Sequence, residues 1–142
     1  AFLNSCYANM EDKLRVQGKQ FVLINETDAS KRMIKSGDKV IVFNDRGSCL
    51  AGIKISDDVM EGIVFLPVGA WYNPAADDDT FCIHGNPNVL TDDIGCSSLS
   101  QGPSAHSTLV EIHKWEKDLP SIKTFLFFSK ISENKNNSNT LL

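Results

Sequence analysis

The sequence lacks the features that would place it among nucleic-acid binders, membrane spanners or disulfide-stapled modules. Its 14 Lys and Arg are outnumbered by 18 Asp and Glu, for a net charge of -4. There is no basic excess to neutralise phosphates or anionic lipid. The longest compact apolar run on the C-terminal side, Thr124 to Phe128, falls far short of the roughly 20 residues that span a bilayer. No nucleic-acid partner and no membrane insertion are expected. The four cysteines Cys6, Cys49, Cys82 and Cys96 form no CxxC pair, so free thiols in a reducing compartment are expected rather than a zinc or redox site. The opening Ala1-Phe2-Leu3-Asn4-Ser5 has neither an initiator Met nor the basic and apolar regions of a signal peptide. It is expected to be an internal cut in a longer chain.

Other chemistries also lack their residues. Cys82, His84, Cys96 and His106 are spaced unlike the usual zinc sets, and no metal site is expected. Asp77-Asp78-Asp79 has no Gly and distal Glu of a calcium loop, so a solvated loop is expected there. No Gly-x-Ser-x-Gly elbow accompanies His106, Ser107 and Asp92, and no catalytic residue is assigned to this chain.

What is present is one domain's worth of β-rich sequence: 142 residues, 42% hydrophobic and 23% charged, enough to bury a core unaided. Gln20 to Asn25 is a β-branched apolar run that predicts a strand. Thr27 is expected to N-cap a helix over 28–35, with Asp28 early, Lys31, Arg32 and Lys35 late and Gly37 as its stop. Lys39–Asn44 and Cys49–Ile55 flank the turn-forming Asp45-Arg46-Gly47-Ser48, the clearest hairpin in the chain. Gly62–Val68 and Thr108–His113 predict further strands. Between them, from Gly69 to Ser107, periodicity gives way to Gly, Pro, Asn, Asp and Ser. A compact domain rarely carries so long an irregular stretch unless it forms a binding surface. The fold class expected is mainly β with one or two short helices, over residues 1–125. Residues 126–142 are expected to form a flexible polar tail.

Three clusters in the irregular stretch supply amides, hydroxyls, glycines and two aromatic plates: 69–74, 85–91 and 95–102. A side-chain amide matches the edge of a purine or pterin, and an indole or phenol can cover a flat ring. Residue type alone leaves two readings open, a nucleotide-like ligand site and an ordinary turn-rich loop.

Phe43-Asn44-Asp45-Arg46-Gly47, Gly69-Ala70-Trp71-Tyr72, Gly85-Asn86-Pro87-Asn88-Val89-Leu90-Thr91, Ser97-Ser98-Leu99-Ser100-Gln101-Gly102 and Val110-Glu111-Ile112 carry a resemblance. In order and spacing over 15–125 they resemble the C-terminal cofactor-binding domain of the dimethyl sulfoxide reductase family, on the side of the trimethylamine N-oxide and biotin sulfoxide reductases. The resemblance implies a double-psi β-barrel that caps a bis(molybdopterin guanine dinucleotide) molybdenum cofactor. It also implies a parent enzyme that removes oxygen from N-oxides or S-oxides. Residue by residue it implies a pterin contact at Asn88, an aromatic at Trp71 or Tyr72 and a polar position at Gln101 or His106. Asn86, Thr91 and Ser97 complete the expected cofactor-binding set.

The implied partners are the upstream domains of the same reductase, the molybdopterin cofactor and an electron-donor protein, in either the bacterial periplasm or the cytoplasm. Three features depart from the family pattern. The His-Ser-Gln segment is missing from the first residues, the metal-ligating Ser belongs to an upstream domain, and Cys96 stands where relatives have Thr. The 142 residues alone are therefore expected to be inactive. The rival expectation is a noncatalytic β-barrel interaction module, because fold alone does not fix function.

Overall fold

In the computed structural model, which describes residues 15–16, 19–118 and 120, the chain is mainly β. Among the described residues, eight strands share one curled sheet: β1 Arg15–Val16, β2 Lys19–Ile24, β3 Lys39–Phe43, β4 Ser48–Ile55, β5 Val64–Phe65, β6 Pro74–Ala75, β7 Asp78–Cys82 and β8 Glu111–Lys114. A six-residue helix, α1, covers Glu26–Lys31, and single 3-10 turns occupy Pro87–Val89 and Ala105–Ser107. The predicted hairpin is β3–β4, paired from Phe43↔Ser48 to Lys39↔Gly52.

β4 is the spine. Its second half pairs in parallel with β2 and its first residues pair in parallel with β7, through Ser48↔Phe81 and Cys49↔Cys82. Strands covered on both faces read as unbroken apolar runs rather than alternations, and β2 and β4 are buried almost throughout. β3 lies nearer the rim and alternates, with Val40 and Val42 inward. The core joins Val22, Ile24, Val40, Val42, Cys49, Ala51, Ile53, Cys82, Leu90 and Ile112. Cys49, Cys82 and Cys96 are unpaired thiols, and burial pushes the Cys49 thiol far above its ordinary value.

Several expected boundaries are corrected. The helix cap is Asn25, not Thr27: the Asn25 Oδ1 accepts the Thr27 N–H at 2.9 Å while its Nδ2 donates to Val59 O. The helix also ends before Lys35. The Ile34 N–H returns to Ala29 O at 2.9 Å and the Met33 N–H to Ser30 O at 3.1 Å, closing a Schellman motif. Met33 takes the left-handed position at φ 55, so the stop lies upstream of Gly37. Only Val64–Phe65 of the expected strand 62–68 pairs, antiparallel to the end of β2. The last strand is shifted to Glu111–Lys114 on β3. The stretch 69–107 is not strandless, since it contains β6 and β7. Asp78 and Asp79 are exposed but belong to β7, and Asp78 Oδ1 accepts from the Thr80 N–H at 2.9 Å. The tail expected at 126–142 and Cys6 lie outside the described residues.

Candidate functional site

The walls of one surface cleft are set by two chain segments that meet at the end of β7. Ile83 donates its N–H to Asn73 O at 2.8 Å, and the buried His84 contacts Trp71 O through Nδ1 at 3.0 Å. A carbonyl can only accept, so this contact puts the His84 ring hydrogen on Nδ1. From the other side, the Lys19 ammonium, 2% exposed, donates to Ile83 O at 2.8 Å. Burial lowers its pKa from the ordinary lysine value. Gly85 follows at φ 86, where a side chain would meet Gln20 and Leu50 O; only glycine satisfies both the backbone angle and the close approach. The chain then enters the 3-10 turn at Pro87–Val89.

The cleft measures about 490 Å3 and is lined by Val68, Gly69, Ala70, Trp71, Tyr72, Asn86, Pro87 and Asn88. That volume is within the range of about 300–1,000 Å3 typical of small-molecule sites. None of the eight residues is charged, so a ligand here is held by ring faces and amide dipoles. The two asparagines divide the work. Asn86 Oδ1 accepts the Asn88 N–H at 2.9 Å and so caps the turn. The Asn88 side-chain amide makes no hydrogen bond among the described residues, and the residue is exposed on the capped turn. Tyr72 donates its hydroxyl to Asp79 O. Desolvation, then the Asp79 charge, raises its pKa and keeps that hydroxyl a donor. Tyr72 therefore offers the cleft its ring, Trp71 its half-buried indole, and Asn88 a paired donor and acceptor. The set suits a flat heterocycle with a hydrogen-bonding rim.

Of the eight residues expected from the sequence, Trp71, Tyr72, Asn86 and Asn88 come together here. Thr91 lies just behind the turn, its hydroxyl donating to Asn88 O at 3.3 Å. Ser97 and Gln101 lie in a separate hairpin closed by the Gly95↔Pro103 bridge, where Ser97 Oγ accepts the Ser100 N–H at 2.9 Å and Gln101 Nε2 donates to Ser97 O at 3.1 Å. His106 lines a second cleft of about 290 Å3 beside Asp28, Val64, Leu109 and Ile112, between β5 and β8. His84 and Lys19 carried no sequence signal for a role at the site. Their contacts are to carbonyls of residues far along the chain or behind a strand.

Comparison with known proteins matches residues 1–109 to a family model described as "Molydopterin dinucleotide binding domain". A trimethylamine-N-oxide reductase of Salmonella typhimurium is 47% identical over 118 residues, covering 82% of this chain and 14% of that protein. Trimethylamine-N-oxide reductase 1 of Escherichia coli K12 is 49% identical over 108 residues, 75% of this chain and 13% of the relative. The corresponding reductase of Vibrio cholerae is 42% identical over 111 residues, 78% and 14%. The chain thus spans about one seventh of the length of these relatives. Among solved structures, the acetylene hydratase of Pelobacter acetylenicus superposes with a TM-score of 0.61 at 16% identity, over 79% of this chain and 16% of that one. At that identity the likeness concerns the fold alone.

Proposed function

The chain belongs to the molybdopterin dinucleotide binding domain family, and from that premise we propose that it is the cofactor-capping domain, over residues 1–125, of a bacterial molybdenum reductase of N-oxides or S-oxides. The observation that carries the reading at the residue level is the uncommitted Asn88 amide. The Asn88 backbone N–H is held by the Asn86 cap, and the residue lines one cleft with Trp71 and Tyr72. The family match favours this reading over a noncatalytic interaction module.

When bound, bis(molybdopterin guanine dinucleotide) molybdenum supplies the two-electron centre at which an oxygen atom leaves the substrate. This chain's residues bind and orient. Asn88 gives and takes a hydrogen bond on the rim of one pterin, Trp71 and Tyr72 cover its flat face, and Asn86 holds the turn between them. The uncharged lining fits a heterocyclic ring better than a pyrophosphate, which prefers cationic partners. In this reading Thr91 supports the turn, and Ser97, Gln101 and His106 serve the rest of the dinucleotide from the neighbouring loops. Metal ligation and the substrate funnel fall to upstream domains of the parent, reduction to a separate donor protein, and the 142 residues alone have no reductase activity.

The test is Asn88→Ala in the full-length parent. Guanine nucleotide and molybdenum content per polypeptide should fall, with the melting temperature within about 2 °C of the parent's, because only an exposed amide is removed. Native cofactor content with a lowered melting temperature would make Asn88 a turn residue and refute the assignment.

A further inference from the structure

Resting on that functional reading, we propose that the β3–β4 turn is a positioning clamp for Asn88, with Arg46 and Asn44 holding the Leu90 carbonyl and thereby the turn that presents the Asn88 amide. Leu90 O accepts two hydrogen bonds from this turn, from Asn44 Nδ2 at 2.8 Å and from Arg46 Nε at 2.9 Å. Arg46 Nη1 reaches Asp92 Oδ2 at 3.1 Å, so one guanidinium grips the chain both two and four residues beyond Asn88. Asn44 is itself held in place. Its Oδ1 accepts the Arg46 N–H at 3.0 Å and the Gly47 N–H at 3.3 Å, and its Nδ2 also donates to Leu109 O at 3.1 Å. Gly47 lies against the carbonyl of Val89, immediately after Asn88.

Neither Asn44 nor Arg46 lines the cleft, so any effect they have on a ligand there passes through the turn. The planar fork of arginine matters because it serves a carbonyl and a carboxylate at once. A lysine ammonium, as a single point of charge, does not reproduce that geometry.

The experiment is a double-mutant cycle in the full-length parent, read as guanine nucleotide and molybdenum retained per polypeptide over time after gel filtration, with melting temperature recorded in parallel. Arg46→Gln should speed cofactor loss about tenfold, the scale of one or two hydrogen bonds, and Arg46→Lys should restore only part of the retention. In an Asn88→Ala background, Arg46→Gln should change the loss rate by less than about twofold, because the residue it positions is already gone. Multiplicative effects in the double variant would overturn the clamp while leaving the cofactor-binding reading intact. A parent that carries no guanine nucleotide at all would overturn both. Should Arg46→Gln fail to accumulate as folded protein, Asp92→Asn runs the same cycle, and multiplicative effects there count equally against the clamp.

Discussion

Gly47 should resist replacement for want of room rather than for its backbone angle. A Cβ built there would lie 2.6 Å from Thr80 O and 2.6 Å from Val89 O, against an ordinary carbon–oxygen contact of about 3.3 Å. Each carbonyl would have to retreat by roughly 0.7 Å, and neither is the loose end of a side chain. Thr80 sits in β7 and Val89 in the 3-10 turn that carries Asn88. Overpacking of this kind costs about 1–3 kcal/mol, and two fixed backbone obstacles place Gly47→Ala near the upper figure, about 3 kcal/mol. Urea unfolding should register a lower midpoint with an unchanged slope, and the melting temperature should fall by roughly 10 °C for a domain of this size. Gly37→Ala is the matched control. Gly37 has φ 89 but nothing within 4 Å of its added Cβ, so only backbone strain, partly offset by a stiffer unfolded chain, opposes the change, at about 1 kcal/mol. A Gly47→Ala protein within 0.5 kcal/mol of its parent (a loss typical of neutral surface changes), or one less affected than Gly37→Ala, would refute the steric argument.

Met33 occupies the left-handed position of the Schellman motif with its side chain 84% exposed, so Met33→Gly should stabilise the chain by about 0.5–1 kcal/mol in equilibrium unfolding; a loss of stability would mean that the side chain packs. Asp38 accepts from Lys114 Nζ at 2.8 Å and from the Lys35 N–H, and these bonds, the Lys114 one foremost, hold its pKa below 3.8. The resulting stability is fully present above pH 3.8 and is lost as pH falls through the lowered folded value. Lys114→Met should therefore cost about 0.5 kcal/mol at pH 7 and flatten the acid limb of a stability–pH curve; an unchanged limb would exclude the pair as its source. Lys19 has its pKa lowered by burial, so the unfolded chain holds its proton longer and stability should rise with pH between the lowered folded value and 10.5. Lys19→Met should abolish that rise, measured by urea melts at alkaline pH, and persistence of the rise would assign it to another group.

The parts of this protein that the sequence by itself determined are those whose cause lies within a few residues. β2 and the β3–β4 hairpin follow from apolar runs and from a turn in which Asn44 bonds the N–H groups of Arg46 and Gly47. Trp71, Tyr72, Asn86 and Asn88 were legible as site candidates because amide, ring and glycine types are written in the chain. The tertiary structure decided which of them share a cleft, and it left Ser97 and Gln101 in a hairpin of their own. It also made a strand of Asp78–Cys82, whose first three residues are exposed and show no alternation, by pairing its end with β4 in parallel. The same holds for the helix end, where Met33 supplies a conformation expected of glycine because the buried Ile34 fixes the exit of the chain. The hold of Arg46 and Asn44 on Leu90 spans more than forty residues of sequence. A backbone carbonyl has no residue signature, so which side chain reaches it is decided only when the strands come together.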